Sequence, residues 1–209
     1  MVHDKAQLTD SLFEAVISQR ATRDGFGEGL LRAGRENPRV VAVCADLSES
    51  TRMQEFAKAF PERFVEVGVA EQHMATFAAG LALTGKIPFI ASYATFSPGR
   101  NWEQVRTTIA YNNVSVKVAG HHAGLSVGPD GATHQALEDI AMMRAMPNMT
   151  VFSPCDALEA EKATLAAARL SGPVYLRFHR EKTPVMTTAR TPFTPGKAEI
   201  FWQGRKPQV

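Results

Sequence analysis

The chain is 209 residues long, 44% apolar and 21% charged, with a formal net charge of +2. That leaves room for one good-sized core, and mixed charge of this size gives no broad basic field, so nucleic acid is not an implied partner. No apolar run approaches the ~20 residues of a membrane span, and Met1-Val2-His3-Asp4-Lys5 lacks the apolar core of a secretory signal; a cytoplasmic, soluble protein with no membrane association is expected.

The first patterned stretch, 9–17, sets Leu12, Phe13, Val16 and Ile17 on one face of a helix starting at Thr9 or Asp10. A second helix is expected over 22–33, and the β-branched run 40–44 reads as a strand. Beyond it the chain alternates. Strands are expected at 64–67, 87–91, 114–118, 149–152 and 174–178, and helices at 50–60, 70–83, 101–111, 135–146 and 156–170. Most of these helices stop at a breaker, such as Pro61, Gly85, Pro147 or Gly172. Cys44 and Cys155 have neither metal-ligand spacing nor the density of a disulfide scaffold and read as small buried side chains. Past Phe178 the composition shifts. The chain divides into a domain at 1–182, an extended Pro- and Thr-rich linker at 183–196, and at 197–209 the start of a further unit left incomplete.

Strands alternating with helices of this length predict an α/β fold, a six-stranded, mostly parallel sheet with helices on both faces, whose ligands sit beyond the carboxyl ends of the strands. The loops there are polar or Gly-rich: 45–50, 68–71, 92–100 and, above all, 120–134. The last is too long for a simple connection of ~2–6 residues. It carries His121, His122, a Gly-Pro-Asp-Gly turn around Asp130, and His134. At 66–74 the sequence EVGVAEQHM places Glu71 at a strand-to-helix junction. The helix macrodipole alone favours a carboxylate there, so the position admits both an ordinary first-turn Glu and a functional one.

Taken together, Ala21-Thr22-Arg23, Ala45-Asp46-Leu47 with Ser50, the stretch 66–74, Tyr93-Ala94-Thr95-Phe96, the run Gly128-Pro129-Asp130-Gly131-Ala132-Thr133-His134-Gln135 and Arg177-Phe178-His179-Arg180 resemble the pyrimidine-binding domain of transketolase and its relatives among the thiamine diphosphate enzymes. The resemblance covers roughly residues 8 to 205 and implies the pyrimidine-binding type of the thiamine diphosphate-binding fold. It implies that Glu71 hydrogen-bonds N1' of the cofactor's aminopyrimidine and promotes the imino form that deprotonates the thiazolium. Burial must then outweigh the helix terminus, because Glu71 has to share a proton. Phe96 matches the aromatic residue that stacks on the aminopyrimidine. Gly99 departs from the family, which generally has a second Phe there; Arg100 and Trp102 are the candidates to fill its space.

The resemblance also assigns Arg23, Ser50, His122 and Arg180 to the substrate's phosphate and nearby hydroxyls. Asp130 and His134 fall to the hydroxyls beside the reacting carbonyl. Guanidinium groups suit phosphate oxygens, and the imidazoles of His122 and His134 can move protons near neutral pH. Singly, either Arg reads equally as half of a surface ion pair, and the histidines as zinc ligands lacking cysteine or acidic support. Asp46 matches an acidic position near the cofactor and the subunit interface, or else caps a helix. His121 takes no role from the resemblance.

No Gly-Asp-Gly motif, the family's diphosphate and Mg²⁺ element, occurs in the sequence. The implied assembly is therefore the C-terminal, pyrimidine-binding subunit of a split transketolase, dimerising with itself and flanked by N-terminal diphosphate-binding subunits that hold the metal ligands. No metal ligand is assigned to this chain. The implied activity transfers a two-carbon ketol unit from a ketose phosphate to an aldose phosphate, as in pentose phosphate metabolism. The alternatives are a 1-deoxy-xylulose-5-phosphate synthase-like enzyme, a transketolase for a branched or sulfonated sugar, and a non-catalytic interaction module.

Overall fold

A computed structural model describes residues 1–3 and 5–204. Its elements in chain order are β1 (Gln19–Ala21), α1 (Thr22–Glu36), β2 (Val40–Cys44), α2 (Gln54–Ala59), β3 (Phe64–Glu66), α3 (Glu71–Leu83) and β4 (Ile87–Tyr93), then the short α4 (Trp102–Gln104), which runs into a π-helical turn (Val105–Ala110). There follow β5 (Lys117–His121), 3₁₀ turns at Leu125–Asp130 and Ala132–His134, α5 (Asp139–Arg144), β6 (Thr150–Phe152), α6 (Ala157–Arg169), β7 (Val174–Arg177) and β8 (Lys182–Pro184).

Six strands form one sheet in the order β3-β2-β4-β5-β7-β6, with every neighbouring pair parallel. All five residues of β2 are buried, as an unbroken apolar run covered on both faces requires. On one face Phe26 and Leu30 of α1 and Ala160 and Ala163 of α6 pack on Val40, Ala42 and Cys44. On the other, Met74, Ala75 and Ala78 of α3 meet Val43, Ile90 and Val118, with Val105 and Ile109 of the π-helical turn and Met143 of α5 beside them. Helices α1 and α6 approach closely because Gly25 has no side chain: a Cβ there would lie 1.9 Å from the carbonyl oxygen of Ala157.

The structure corrects several expected elements. Residues 9–17 form turns and bends, with Phe13 and Val16 at 76% and 84% exposure; their helical spacing has no core to face. The helix expected over 50–60 begins only at Gln54, the one expected over 135–146 contracts to Asp139–Arg144, and the one over 101–111 is α-helical for one turn and then π. Strand β5 lies three residues later than its apolar alternation suggests, because Gly120 and His121 pair with Ser92 and Tyr93 inside the sheet. The long loop therefore begins at His122. Cys44 is buried, but Cys155, in the turn before α6, is exposed.

Residues 183 and 184, the expected start of the linker, pair antiparallel with β1. Asp156 caps α6 by accepting from the Glu159 N–H, and it also accepts from the N–H groups of Met186 and Thr187 and from the Thr187 hydroxyl. That one buried carboxylate fastens the departing chain to the domain. Near the ends, Val2 bridges to Trp202; residues 205–209, the tail of the expected further unit, lie outside the described residues. No helix among the described residues is long and apolar enough to cross a membrane.

Candidate functional site

The carboxyl ends of β2, β3, β4, β5 and β7 deliver most of the candidate residues to one edge of the sheet, where ligands of parallel α/β sheets bind, and the start of α1 brings Arg23 to them. Glu71 opens α3 directly after the β3 loop. Its side chain is only 2% exposed and pairs with Arg100, whose Nη1 donates to Oε2 at 2.8 Å. Asn101 Nδ2 donates to the Glu71 backbone carbonyl at 2.9 Å and to Ser97 Oγ at 3.1 Å. The segment after β4 is thus tied to the first turn of α3. A carboxylate buried this far exceeds what a helix terminus asks for, since first-turn charges are stabilised at exposed sites too.

A Cβ at Gly99 would lie 2.0 Å from the Thr95 carbonyl oxygen, so no side chain fits there, and of the two candidates it is Arg100 that reaches the Phe96 ring. Its guanidinium carbon stands 4.6 Å from the centre of the Phe96 ring, while Trp102 packs into the core under α3. Phe96 meets His134 edge-on at 5.4 Å and lies parallel to Tyr93 at 6.0 Å, and Tyr93 contacts His122 at 4.2 Å. An aromatic row therefore runs from the Glu71 pocket to the histidines. A half-buried aromatic ring that shares Arg100 with a buried carboxylate suits a planar heterocycle with a protonatable ring nitrogen.

His122 follows β5 with φ of 53° and Asp46 lies just past β2 with φ of 59°, left-handed conformations uncommon for non-glycine residues and often gathered at sites. His122 is 1% exposed, and Arg23 Nη1 lies 3.0 Å from its Nε2. An Arg can only donate, so Nε2 is the acceptor and the imidazole is neutral. Burial and, next, the neighbouring Arg23 push its pKa down to about 4. Arg23 also donates to the Ser50 backbone carbonyl at 3.2 Å; burial lowers the pKa of this guanidinium, and its Nε has no partner among the described residues. Ser50 thus meets Arg23 through its backbone. Arg180 donates to the Val127 carbonyl at 2.6 Å and to Asp130 at 3.1 Å, and the Thr133 hydroxyl lies 2.9 Å from His134 Nδ1.

Arg100 links Glu71 to Phe96, and Tyr93 links Phe96 and His134 to His122, which continues to Arg23 and Ser50; Arg180 and Asp130 form a separate pair. Asp46 stands apart: it is exposed, and its N–H donates to Glu66 Oε1 at 2.7 Å. It caps no helix, since α2 starts at Gln54 with Met53 at its cap. No group of three or more His, Cys, Asp or Glu side chains that could hold a metal ion occurs among the described residues. His121 is a core residue packed against Phe26 at 4.8 Å and Phe178 at 5.1 Å, and burial holds its pKa well below the usual value.

Sequence reasoning missed Glu66, whose Oε1 accepts from both Asp46 N–H and Gly68 N–H and joins two loops of the site. It gave no role to Tyr93, although Tyr93 opens the quoted run 93–96, and none to Asn101. A polar residue ending an apolar strand was the available signal for Glu66; nothing local marked Asn101.

Comparison with known proteins follows the same line. The family model described as "Transketolase, pyrimidine binding domain" matches residues 18–186. A protein of Methanocaldococcus jannaschii named for a transketolase C-terminal section is 45% identical over 187 residues, covering 88% of this chain and 59% of that protein. A 1-deoxy-D-xylulose-5-phosphate synthase of Caldanaerobacter subterraneus is 40% identical, covering 88% of this chain and 29% of that enzyme. Among solved structures, a split-gene transketolase described as an inactive beta4 tetramer superposes with a TM-score of 0.78 at 46% identity, covering 86% of this chain and 58% of that one. The chain spans less than two thirds of each.

Proposed function

The chain belongs to the transketolase family, as its pyrimidine-binding domain, and from that premise we propose that it is the C-terminal subunit of a two-subunit, thiamine diphosphate-dependent transketolase of the cytoplasm. The observation that carries the reading is Glu71, a buried carboxylate joined through Arg100 to the half-buried ring of Phe96. When bound, the cofactor supplies the carbanion chemistry for moving a two-carbon ketol unit between sugar phosphates. Glu71 would hold a proton at the pyrimidine ring nitrogen, and Phe96 would stack on the ring. Burial of Glu71 excludes water from that hydrogen bond.

Arg23 and Arg180 supply the cationic end for a sugar phosphate, with Ser50 beside Arg23. Arg180 would exchange its contact with Asp130 for the phosphate, freeing Asp130 for a hydroxyl. His122, neutral and held by Arg23, and His134, oriented by Thr133, are placed to pass protons with the substrate's hydroxyls. The diphosphate and Mg²⁺ are assigned to an N-terminal partner subunit, a reading supported by the likeness to a split-gene transketolase. Asp46, exposed at the same edge, faces the boundary where cofactor and partner would meet. The tetramer reported for the split-gene relative supports self-association of this subunit, a homodimer being the minimal unit.

The test is reconstitution with a diphosphate-binding transketolase subunit and assay of ketol transfer from a ketose phosphate to an aldose phosphate. Glu71→Ala should lower kcat by at least about 10²-fold, the scale of lost acid–base catalysis, while leaving subunit assembly intact. Unchanged turnover in that variant contradicts the reading. The synthase-like relative makes pyruvate with glyceraldehyde 3-phosphate the second substrate pair; turnover of that pair alone transfers the assignment to the synthase.

A further inference from the structure

Arg100 occupies both contacts that the pyrimidine ring would need. Its guanidinium donates to Glu71 Oε2 at 2.8 Å while its carbon lies 4.6 Å over the Phe96 ring. Guanidinium is planar, stacks on aromatic faces and donates hydrogen bonds along its edge, so it meets the same pair of groups in the same manner as an aminopyrimidine. The two partners are unequally exposed: Glu71 retains 2% of its side-chain surface and Arg100 48%. Arg100 is therefore the cover and Glu71 the group covered. The backbone that carries it is fastened independently of the guanidinium. Arg100 follows Gly99 and precedes Asn101, whose side chain separately fastens this segment to the Glu71 backbone, so the segment stays docked when the guanidinium leaves.

We infer that Arg100 is a latch that stands in for the aminopyrimidine in the cofactor-free subunit and sets cofactor affinity by competing for Glu71 and Phe96. This rests on the cofactor reading above and goes further, because it gives Glu71 and Phe96 an internal partner that the ring must displace. Without the cofactor the buried carboxylate stays paired, which avoids the cost of an isolated buried charge. The ring then binds by exchange, its nitrogen taking over Glu71 and its face taking over Phe96.

The experiment is calorimetric titration of thiamine diphosphate with Mg²⁺ into the complex reconstituted with a diphosphate-binding subunit, comparing the wild type with Arg100→Ala and Arg100→Gln. Breaking a half-exposed ion pair and a cation–π contact is worth roughly a 3- to 20-fold change in Kd. Both variants should bind that much more tightly than the wild type. In the wild-type complex the Arg100 Nε–H signal, read by ¹⁵N NMR, should shift toward that of a solvent-exposed arginine on cofactor addition. Equal or weaker binding in the variants, or an Arg100 signal unmoved by bound cofactor, overturns the latch and makes Arg100 a standing partner of Glu71. Failure of wild type and variants alike to bind cofactor overturns the cofactor reading itself and removes the latch with it.

Discussion

Replacing His122 tests the electrostatics of the site without any ligand. Its imidazole is 1% exposed and lies against Arg23, and burial is the main reason its pKa falls from 6.5 to about 4. Above pH 6.5 the group is neutral in the folded and the unfolded chain. Between 6.5 and 4 the unfolded chain takes up a proton that the folded one refuses, so stability falls as pH falls. Below about 4 both states are protonated and the loss stops. At about 1.4 kcal/mol per pH unit, the loss over this window is on the order of 3 kcal/mol. His121 and His179 are displaced in the same direction, so the measurement must be differential: urea unfolding of the wild type and of His122→Gln at intervals from pH 7 to 4. The wild type should lose about 3 kcal/mol more than the variant across that range. A flat difference, or an imidazole titrating near 6.5 by NMR, refutes a buried neutral His122 held by Arg23.

Two further substitutions probe how the scaffold holds the site. Asp156→Ala removes the α6 cap and leaves the Met186 and Thr187 donors without their acceptor; a cap is worth about 1 kcal/mol and a buried orphaned donor about 1–3. Denaturant unfolding should show a loss of about 3 kcal/mol, with earlier proteolysis after residue 184. Gly25→Val drives a side chain into the Ala157 carbonyl, so α1 and α6 must separate at a cost of about 3 kcal/mol or more, read as a lower Tm; an unchanged Tm contradicts the close packing.

The parallel sheet was legible because β2 and β4 are buried on both faces and carry largely apolar runs. Local pattern failed where burial was decided elsewhere. The apolar spacing at Leu12, Phe13, Val16 and Ile17 is helical in form, yet no sheet face is available to it. Gly120 and His121 read as loop because glycine and histidine disfavour strand, but β4 pairs with both and β7 with Gly120, which holds them in the sheet. At the site, residue identities and their loops could be read, whereas their pairing could not. The Glu71–Arg100 contact spans 29 residues and Arg23–His122 spans 99, and no window of sequence reports such distances. Gly99 marked the place where an Arg replaces an expected ring, without revealing which side chain that Arg would engage.

The most direct test of the split-subunit reading is calorimetry with thiamine diphosphate and Mg²⁺, run on this chain alone and then on its mixture with a diphosphate-binding transketolase subunit. The expected result is tight binding, with stoichiometric uptake, in the mixture only, and its loss in the mixture when Glu71 is replaced by Ala. Equally tight binding by this chain alone, or a mixture that assembles yet takes up no cofactor, contradicts a site shared between two polypeptides.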